Sequence, residues 1–340
     1  MKKEESLALK GIAIVMMLLY HLFYVKSGGE YSYLLGFARG PLIKRFSEIC
    51  YPVTLYIILS GYGLFASYTS SGNIKWWKRA KNLYLHLWII YLIFLPIACC
   101  LLPNEYPGGL VTFLKNAFGI SSSYNAEQWF LMPYLILLAI SLPLFWLMEK
   151  LRPSLVVILA IVCEIVYLYL YKSYGAGYLR SRLLVFNHLY LAMGFILPFS
   201  LGALANKYKL VERLTKFTPP ISGCNGLRIK QICCFSILLI IVIFRMYFPQ
   251  QSLQIIVVFF LLLLFPSLQI GNRSMKVLQF LGNHSMNIWL IHTWICYYLF
   301  KDFIYGFQWP ILIFCVTLSL SLLASILVEY VYNGLIKIKI

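Results

Sequence analysis

A lysine and a histidine lie eleven residues apart in the stretch Lys10-Gly11-Ile12-Ala13-Ile14-Val15-Met16-Met17-Leu18-Leu19-Tyr20-His21. On an α-helix, eleven residues at about 100° each return to within roughly 20° of the same face, about 16 Å further along the axis. One face then carries a cation at the membrane edge and an imidazole near the middle of roughly 30 Å of hydrocarbon. A neutral imidazole at that depth can accept a proton, and an ammonium at the edge can anchor an anionic group. An ionisable residue inside the bilayer is costly, so function is its default explanation, although a neutral histidine also serves as interhelical hydrogen-bond glue. Lys10 taken alone reads as a snorkelling side chain, and its shared face with His21 strengthens the functional reading.

A second polar stretch, Leu281-Gly282-Asn283-His284-Ser285-Met286-Asn287-Ile288-Trp289-Leu290-Ile291-His292, interrupts an otherwise apolar run. Ser285 and His292 are seven apart and nearly share a helix face, so both are candidates for orienting a base or a substrate, or for a structural network. Lys75-Trp76-Trp77-Lys78-Arg79-Ala80-Lys81 combines four cations with two tryptophans. Membrane anchoring explains that cluster, and contact with an anionic cofactor or lipid headgroup is the alternative. Glu164 is the sole acid near the middle of a predicted span. Arg245 and Glu329 sit near span ends, where snorkelling and an interfacial position account for them. His86 and His188 are also near helix ends, where a satisfied histidine is the common outcome. Ser60, Gly61 and Gly63 are small residues that permit close helix approach.

The elements that must position these residues are membrane helices. Of 340 residues, 61% are hydrophobic and 12% charged, a balance outside the range of ordinary soluble domains. The sequence predicts an all-α, polytopic membrane protein with one domain over residues 1–340. Ten spans are expected: about Ala8–Val25, Ile49–Ser67, Leu83–Leu102, Trp129–Met148, Ser154–Tyr171, Leu189–Ala205, Gln231–Phe248, Leu253–Ile270, Leu278–Phe300 and Pro310–Tyr332. Lys26 closes the first run without a small-residue cleavage site, so that run is read as a retained helix. Short apolar Gly109–Phe118 is expected at the interface or re-entering the bundle.

The formal charge of +18 would suggest nucleic acid in a soluble protein, but most of the 29 Lys and Arg lie in short clusters between apolar runs. The pattern is one of topology, and no nucleic-acid partner is expected. The side holding the N-terminus and every second loop carries Lys2, Lys3, Lys10, the Lys75–Lys81 cluster, Lys150, Arg152, Lys207, Lys209, Arg213, Lys216, Arg228, Lys230, Arg273, Lys276, Lys337 and Lys339. The other side carries fewer, among them Lys26, Arg39, Lys115 and Lys301. Both termini are therefore expected in the cytoplasm, with membrane lipids as partners. Nine cysteines are scattered without metal-ligand spacing, so neither a disulfide framework nor a metal site is expected.

In order and spacing the chain resembles the acyltransferase-3 family of membrane proteins. Lys10 and His21 match a basic residue, ten intervening residues and a histidine on the first helix, with Lys in place of the commoner Arg. Leu55–Leu64 resembles a Phe-Phe-x-Leu-Ser-Gly-Phe stretch, with Ser60 and Gly61 kept. Glu127-Gln128-Trp129-Phe130-Leu131 resembles a Trp-Phe-Leu helix opening. Leu281-Gly282, Ser285, Trp289-Leu290 and His292 resemble a Leu-Gly-x-x-Ser-x-x-x-Tyr-Leu-x-His motif, and Glu329 resembles a terminal Ile-Glu. Arg79-Ala80-Lys81-Asn82-Leu83-Tyr84-Leu85 departs from the family's Arg-x-x-Arg-[Ile/Leu]-x-Pro pattern, lacking the second Arg and the Pro.

The resemblance implies an O-acyltransferase, acetyl by family frequency, in a bacterial plasma membrane. It would use acyl-CoA as donor and a hydroxyl of a surface glycan or lipid-linked sugar as acceptor. Donor phosphates are then expected at Lys10, Lys75, Lys78, Arg79 and Lys81, with His21 as general base, a role typically worth about 10² to 10⁴ in rate. A transient acyl-imidazole is the alternative, and Ser285 and His292 are expected as catalytic partners. Two other classes compete. A proton-coupled transporter or flippase would use His21, His292 and Glu164 as a relay, and a sensory membrane domain would need neither Lys10 nor His21.

Overall fold

The fold is given by a computed structural model that describes residues 1–25, 31–33, 36–37, 40–182, 184–217 and 225–337. Lys26, Arg39 and Lys339, used above for topology, lie outside the described residues. Helices account for nearly all of the structure, in keeping with a chain whose backbone must satisfy its own hydrogen bonds in lipid. Among the described residues the sole strand pairing is two residues long, Gly36–Phe37 against Gly40–Pro41.

In chain order the helices are α1 (Lys3–Tyr20), α2 (Leu42–Glu48), α3 (Val53–Ser71), α4 (Trp76–Leu101) and α5 (Leu110–Ala117). Next come α6 (Leu131–Lys150), α7 (Pro153–Arg182), α8 (Leu184–Lys207), α9 (Leu210–Lys216) and α10 (Asn225–Tyr247). The last are α11 (Gln254–Leu264), α12 (Asn272–Asn283), α13 (Ser285–Thr293), α14 (Lys301–Tyr305) and α15 (Pro310–Lys337). Among the described residues nine helical stretches are long and apolar enough to cross a membrane.

Nine, not ten, meet that test because the expected span Leu278–Phe300 is not one helix. It is built from the end of α12, a break at His284, α13, and a π-wound turn over Trp294–Leu299. At the break the His284 imidazole meets Ser325 Oγ of α15 at 2.8 Å, a side-chain tie from the interrupted segment to its neighbour. Pro96, Pro143 and Pro198 lie inside continuous helices, as membrane segments tolerate. Gly72, at φ 67°, ends α3 in the left-handed conformation a glycine adopts without cost.

Glycines set the closest helix pairs. A Cβ on Gly11 of α1 would lie 2.1 Å from the Leu278 carbonyl oxygen of α12, and one on Gly282 would lie 1.9 Å from that of Leu7. The two backbones are in direct contact. α3 and α8 are locked in the same way, through Gly61 against Phe199 O and Gly202 against Ile58 O. Gly63, expected at such an interface, lines a cavity instead, and a Cβ added to it would meet no atom within 4 Å. The buried core follows these contacts: α1, α4, α13 and α15 share one apolar cluster, while α3, α6 and α8 share another. By contrast α7 and α10 expose long rows of Ile, Leu, Val and Phe, the surface expected to face lipid tails.

Candidate active site

A cavity of about 1100 Å³ runs beside α1. Its wall includes Lys3, Ser6, Lys10, Met17, Tyr20, His21 and Val25, so it follows the helix for roughly 30 Å. Lys3, Lys10 and Arg79 line one end. At the other end are Tyr20, Tyr51, Tyr167, Tyr171, Gln251 and the Ser121–Ser123 loop. The shared face of Lys10 and His21 read from their spacing is thus the face that lines the cavity.

His21 is held from behind by His292. Nδ1 of His21 lies 2.9 Å from Nε2 of His292, with ring centroids 4.9 Å apart. His292 is fully buried, and its Nδ1 meets the carbonyl oxygens of Ile288 and Trp289 at 3.1 and 2.9 Å. A carbonyl only accepts, so this Nδ1 carries the proton and donates. In the neutral ring Nε2 is then an acceptor, and His21 must donate to it from its own Nδ1. The remaining nitrogen of His21, Nε2, is the unprotonated one and is able to take a proton. His292 therefore fixes the tautomer that a general base at His21 needs.

Irregular winding places the two rings. The turn that follows α1, His21–Val25, is a π-helix, and the segment after His292 is wound the same way from Trp294 to Leu299. Such windings disturb the i to i−4 ladder and gather at functional sites. Here tyrosines serve the affected carbonyls: Tyr297 donates its hydroxyl to His21 O, and Tyr305 donates to Leu22 O at 2.8 Å. Asn125, fully buried, braces the other side. Its Oδ1 accepts from Thr293 Oγ1 at 2.8 Å and from Glu127 N at 3.2 Å, while its Nδ2 donates to Leu290 O at 3.2 Å. The residues flanking His292 are thereby tied to the loop before α6, where Trp289 Nε1 also donates to Glu127 O at 3.1 Å.

The predicted residues occupy distinct positions. His21 lines the cavity and His292 stands behind it. Ser285, the first residue of α13, lines the cavity wall but is about 10 Å along the axis from His292, so it belongs to the passage rather than to the histidine pair. Lys10 and Arg79 line the near end; Lys75, Lys78 and Arg79 line a smaller adjoining cavity of about 360 Å³. Lys81 lines neither. Two residues along α4 from Arg79, it is turned about 200° from it and stands exposed.

Two further expectations need correction. Arg245 does not snorkel: it is 1% exposed and donates to Phe248 O, Gln250 O and Gln254 Oε1 at 2.5, 2.7 and 3.3 Å. That clamp shapes the turn from which Gln251 donates to Tyr20 Oη at 3.0 Å in the far end of the cavity. Glu329 is not simply interfacial, since its Oε1 accepts from Asn287 Nδ2 at 2.9 Å and lies 3.3 Å from His86 Nε2. Glu164 Oε2 is buried on α7 without a hydrogen-bond partner among the described residues. Asn125, Tyr297 and Tyr305 went unread in the sequence, because a single amide or phenol in an apolar run gives no signal of what it will support.

A histidine pair thus stands at the wall of a long cavity within a bundle of helices of membrane-spanning length. A family model described as an acyltransferase domain matches residues 7–330, and the chain belongs to the acyltransferase-3 family. No curated protein and no solved structure matches it. The match covers the whole set of spans that line the cavity.

Proposed function

We propose that this chain is an O-acyltransferase that moves an acyl group, acetyl by default, from cytoplasmic acyl-CoA to a hydroxyl of a glycan or lipid-linked sugar. The donor enters at Lys3, Lys10 and Arg79, where its phosphates meet cations. Its pantetheine arm passes Ser60 and Ser285, and the thioester reaches His21. The acceptor enters from the opposite end, among Tyr20, Tyr51 and Gln251. Both termini lie on the cytoplasmic side in this reading, in accord with the excess of Lys and Arg in the loops on that side. The interrupted Leu278–Phe300 segment supplies the tenth crossing, its irregular backbone tolerated because it faces protein and a cavity.

In the reaction the acceptor oxygen attacks the thioester carbonyl carbon as His21 Nε2 takes the hydroxyl proton. The tetrahedral intermediate then breaks its C–S bond, and the departing CoA sulfur recovers that proton from His21. During the interval His21 is an imidazolium whose Nδ1–H is held by His292. A neutral histidine in this place orients the base as a carboxylate would, without adding a second charge to the bilayer.

The observation that carries the reading is a single cavity along α1 with cations at one end and a tautomer-fixed histidine towards the other. Purified full-length protein in lipid nanodiscs, given acetyl-CoA and a lipid-linked glycan extract, should release free CoA thiol only when the extract is present. Accumulation of solute in vesicles driven by a pH gradient without CoA would contradict it and favour a transporter.

A further inference from the structure

His292 owes its place to α13, a helix of nine residues with a break before it at His284 and a π-wound turn after it. Neither flank continues the i to i−4 ladder of a regular helix, so side-chain ties to neighbouring helices set its height and rotation. A pair of ties runs to α15. His284 meets Ser325 Oγ at 2.8 Å, and Asn287 Nδ2 donates to Glu329 Oε1 at 2.9 Å. Ser325 and Glu329 are about one turn apart on α15, as His284 and Asn287 are on the interrupted segment, so the pair fixes the register of α13. His292 lies five residues beyond Asn287, about 7.5 Å along the axis.

An ionisable group makes the second tie where a hydroxyl makes the first, and an acid among membrane helices is costly. Glu329 has a further partner, since His86 Nε2 of α4 lies 3.3 Å from its Oε1. His86 is buried, its ring lies against that of Tyr332 with centroids 4.0 Å apart, and its Nδ1 donates to the Asn82 carbonyl at 2.7 Å. A carbonyl only accepts, so Nδ1 carries a proton, and Nε2 of a neutral ring then turns a lone pair to a carboxyl oxygen. The contact is favourable only with one proton between the two groups, on the imidazole or on the carboxyl. With that proton in place, one side chain joins α4, α13 and α15. Glu329 lines neither of the two cavities described above.

We propose that Glu329 is a positioning residue for acyl transfer. Through Asn287 it holds α13 at the height at which His292 Nε2 accepts from His21, and through His86 it ties that helix to α4. The inference rests on the acyl-transfer reading above and adds to it a residue that acts on His21 by way of His292, away from any substrate. Gln is the informative replacement. Its amide oxygen accepts from Asn287 and its NH₂ donates to the neutral His86 Nε2, so both ties survive, whereas Leu removes both.

In nanodiscs, Glu329→Leu should lower kcat by about tenfold or more with the donor KM unchanged, while Glu329→Gln keeps most of the wild-type kcat. Because the effect runs through His292, adding Glu329→Leu to His292→Leu should lower kcat no further. Nitrogen NMR of isotopically labelled histidine reads the positioning without turnover. The Nδ1-protonated tautomer of His21 should persist in Glu329→Gln and give way to a mixture in Glu329→Leu. Should Glu329→Leu fail to assemble, Asn287→Ser, too short to reach the carboxyl, cuts the tie from the α13 side and should show the same kcat loss and the same mixture. Equal impairment by Gln and Leu, an effect on donor KM, or a fully additive loss on the His292→Leu background would overturn the proposal. Absence of acceptor-dependent CoA release by the wild type would instead sink the acyl-transfer reading, and the NMR comparison would still decide whether Glu329 positions His21.

Discussion

His21 Nδ1 donates to His292 Nε2 across 2.9 Å, and the direction of that bond is dictated by two backbone carbonyls on the far side of His292. Replacing His292 by Leu removes the acceptor that holds His21 in one tautomer. We expect a fall in kcat of about 10² or more with little change in the KM for donor, since the donor's anchors are elsewhere. His292→Gln, whose amide oxygen can accept from His21, should recover part of the loss. A KM-dominated effect in steady-state acyl transfer would show that His292 is not a positioning residue for the base.

Lys10 should behave in the opposite way. Charge-assisted hydrogen bonds are worth about 1.5–3 kcal/mol, so Lys10→Gln should raise the KM for acyl-CoA by roughly 10- to 100-fold. Lys10→Arg should retain most of the affinity, because guanidinium also anchors phosphate. Donor titration in nanodiscs reads both. Loss of kcat alone in Lys10→Gln would place this residue away from the donor.

Tyr297 supplies a hydroxyl to the carbonyl of His21 where the helix is π-wound. Tyr297→Phe leaves that carbonyl without its donor, at a cost of about 1–3 kcal/mol in a buried setting. We expect a lowered melting temperature together with reduced kcat, since the His21 ring shifts with its backbone. Unchanged values of both would show that the winding does not depend on Tyr297.

Two glycines on one helix should respond differently. A methyl at Gly61 would meet the Phe199 carbonyl oxygen at 2.0 Å, and backbone cannot yield as a flexible side chain does. Gly61→Ala should destabilise by about 1–3 kcal/mol or prevent assembly of α3 against α8. Gly63→Ala has open space around it and should leave thermal stability unchanged. Fluorescence-detected size-exclusion thermal melts distinguish the pair, and equal sensitivity would contradict the packing described.

The features legible in the sequence are those governed by helix periodicity. Lys10 and His21 share a face because eleven residues nearly complete three turns, and the cavity lies on that face. The same rule, applied to α4, separates Arg79 from Lys81. The break at His284 was hidden because no proline marks it; α12 is fixed against α1 by glycine contacts, and His284 is tied to Ser325 on α15, both non-local. The π turn at His21 was hidden for a similar reason, since its carbonyls depend on hydroxyls of Tyr297 and Tyr305 that are more than 270 residues away. Ser60, a small residue suited to helix packing, has its hydroxyl 3.2 Å from Tyr134 Oη in the cavity wall. A small residue in a membrane helix signals close approach, and whether a helix or a ligand makes that approach is decided by the partner.

The proposed activation of the acceptor hydroxyl by His21 is measured most directly by mass spectrometry of surface glycans from cells expressing the wild-type chain or His21→Ala at equal level. An acyl mass increment is expected on the wild-type glycan and absent with His21→Ala. Acylation of equal extent in both would contradict it.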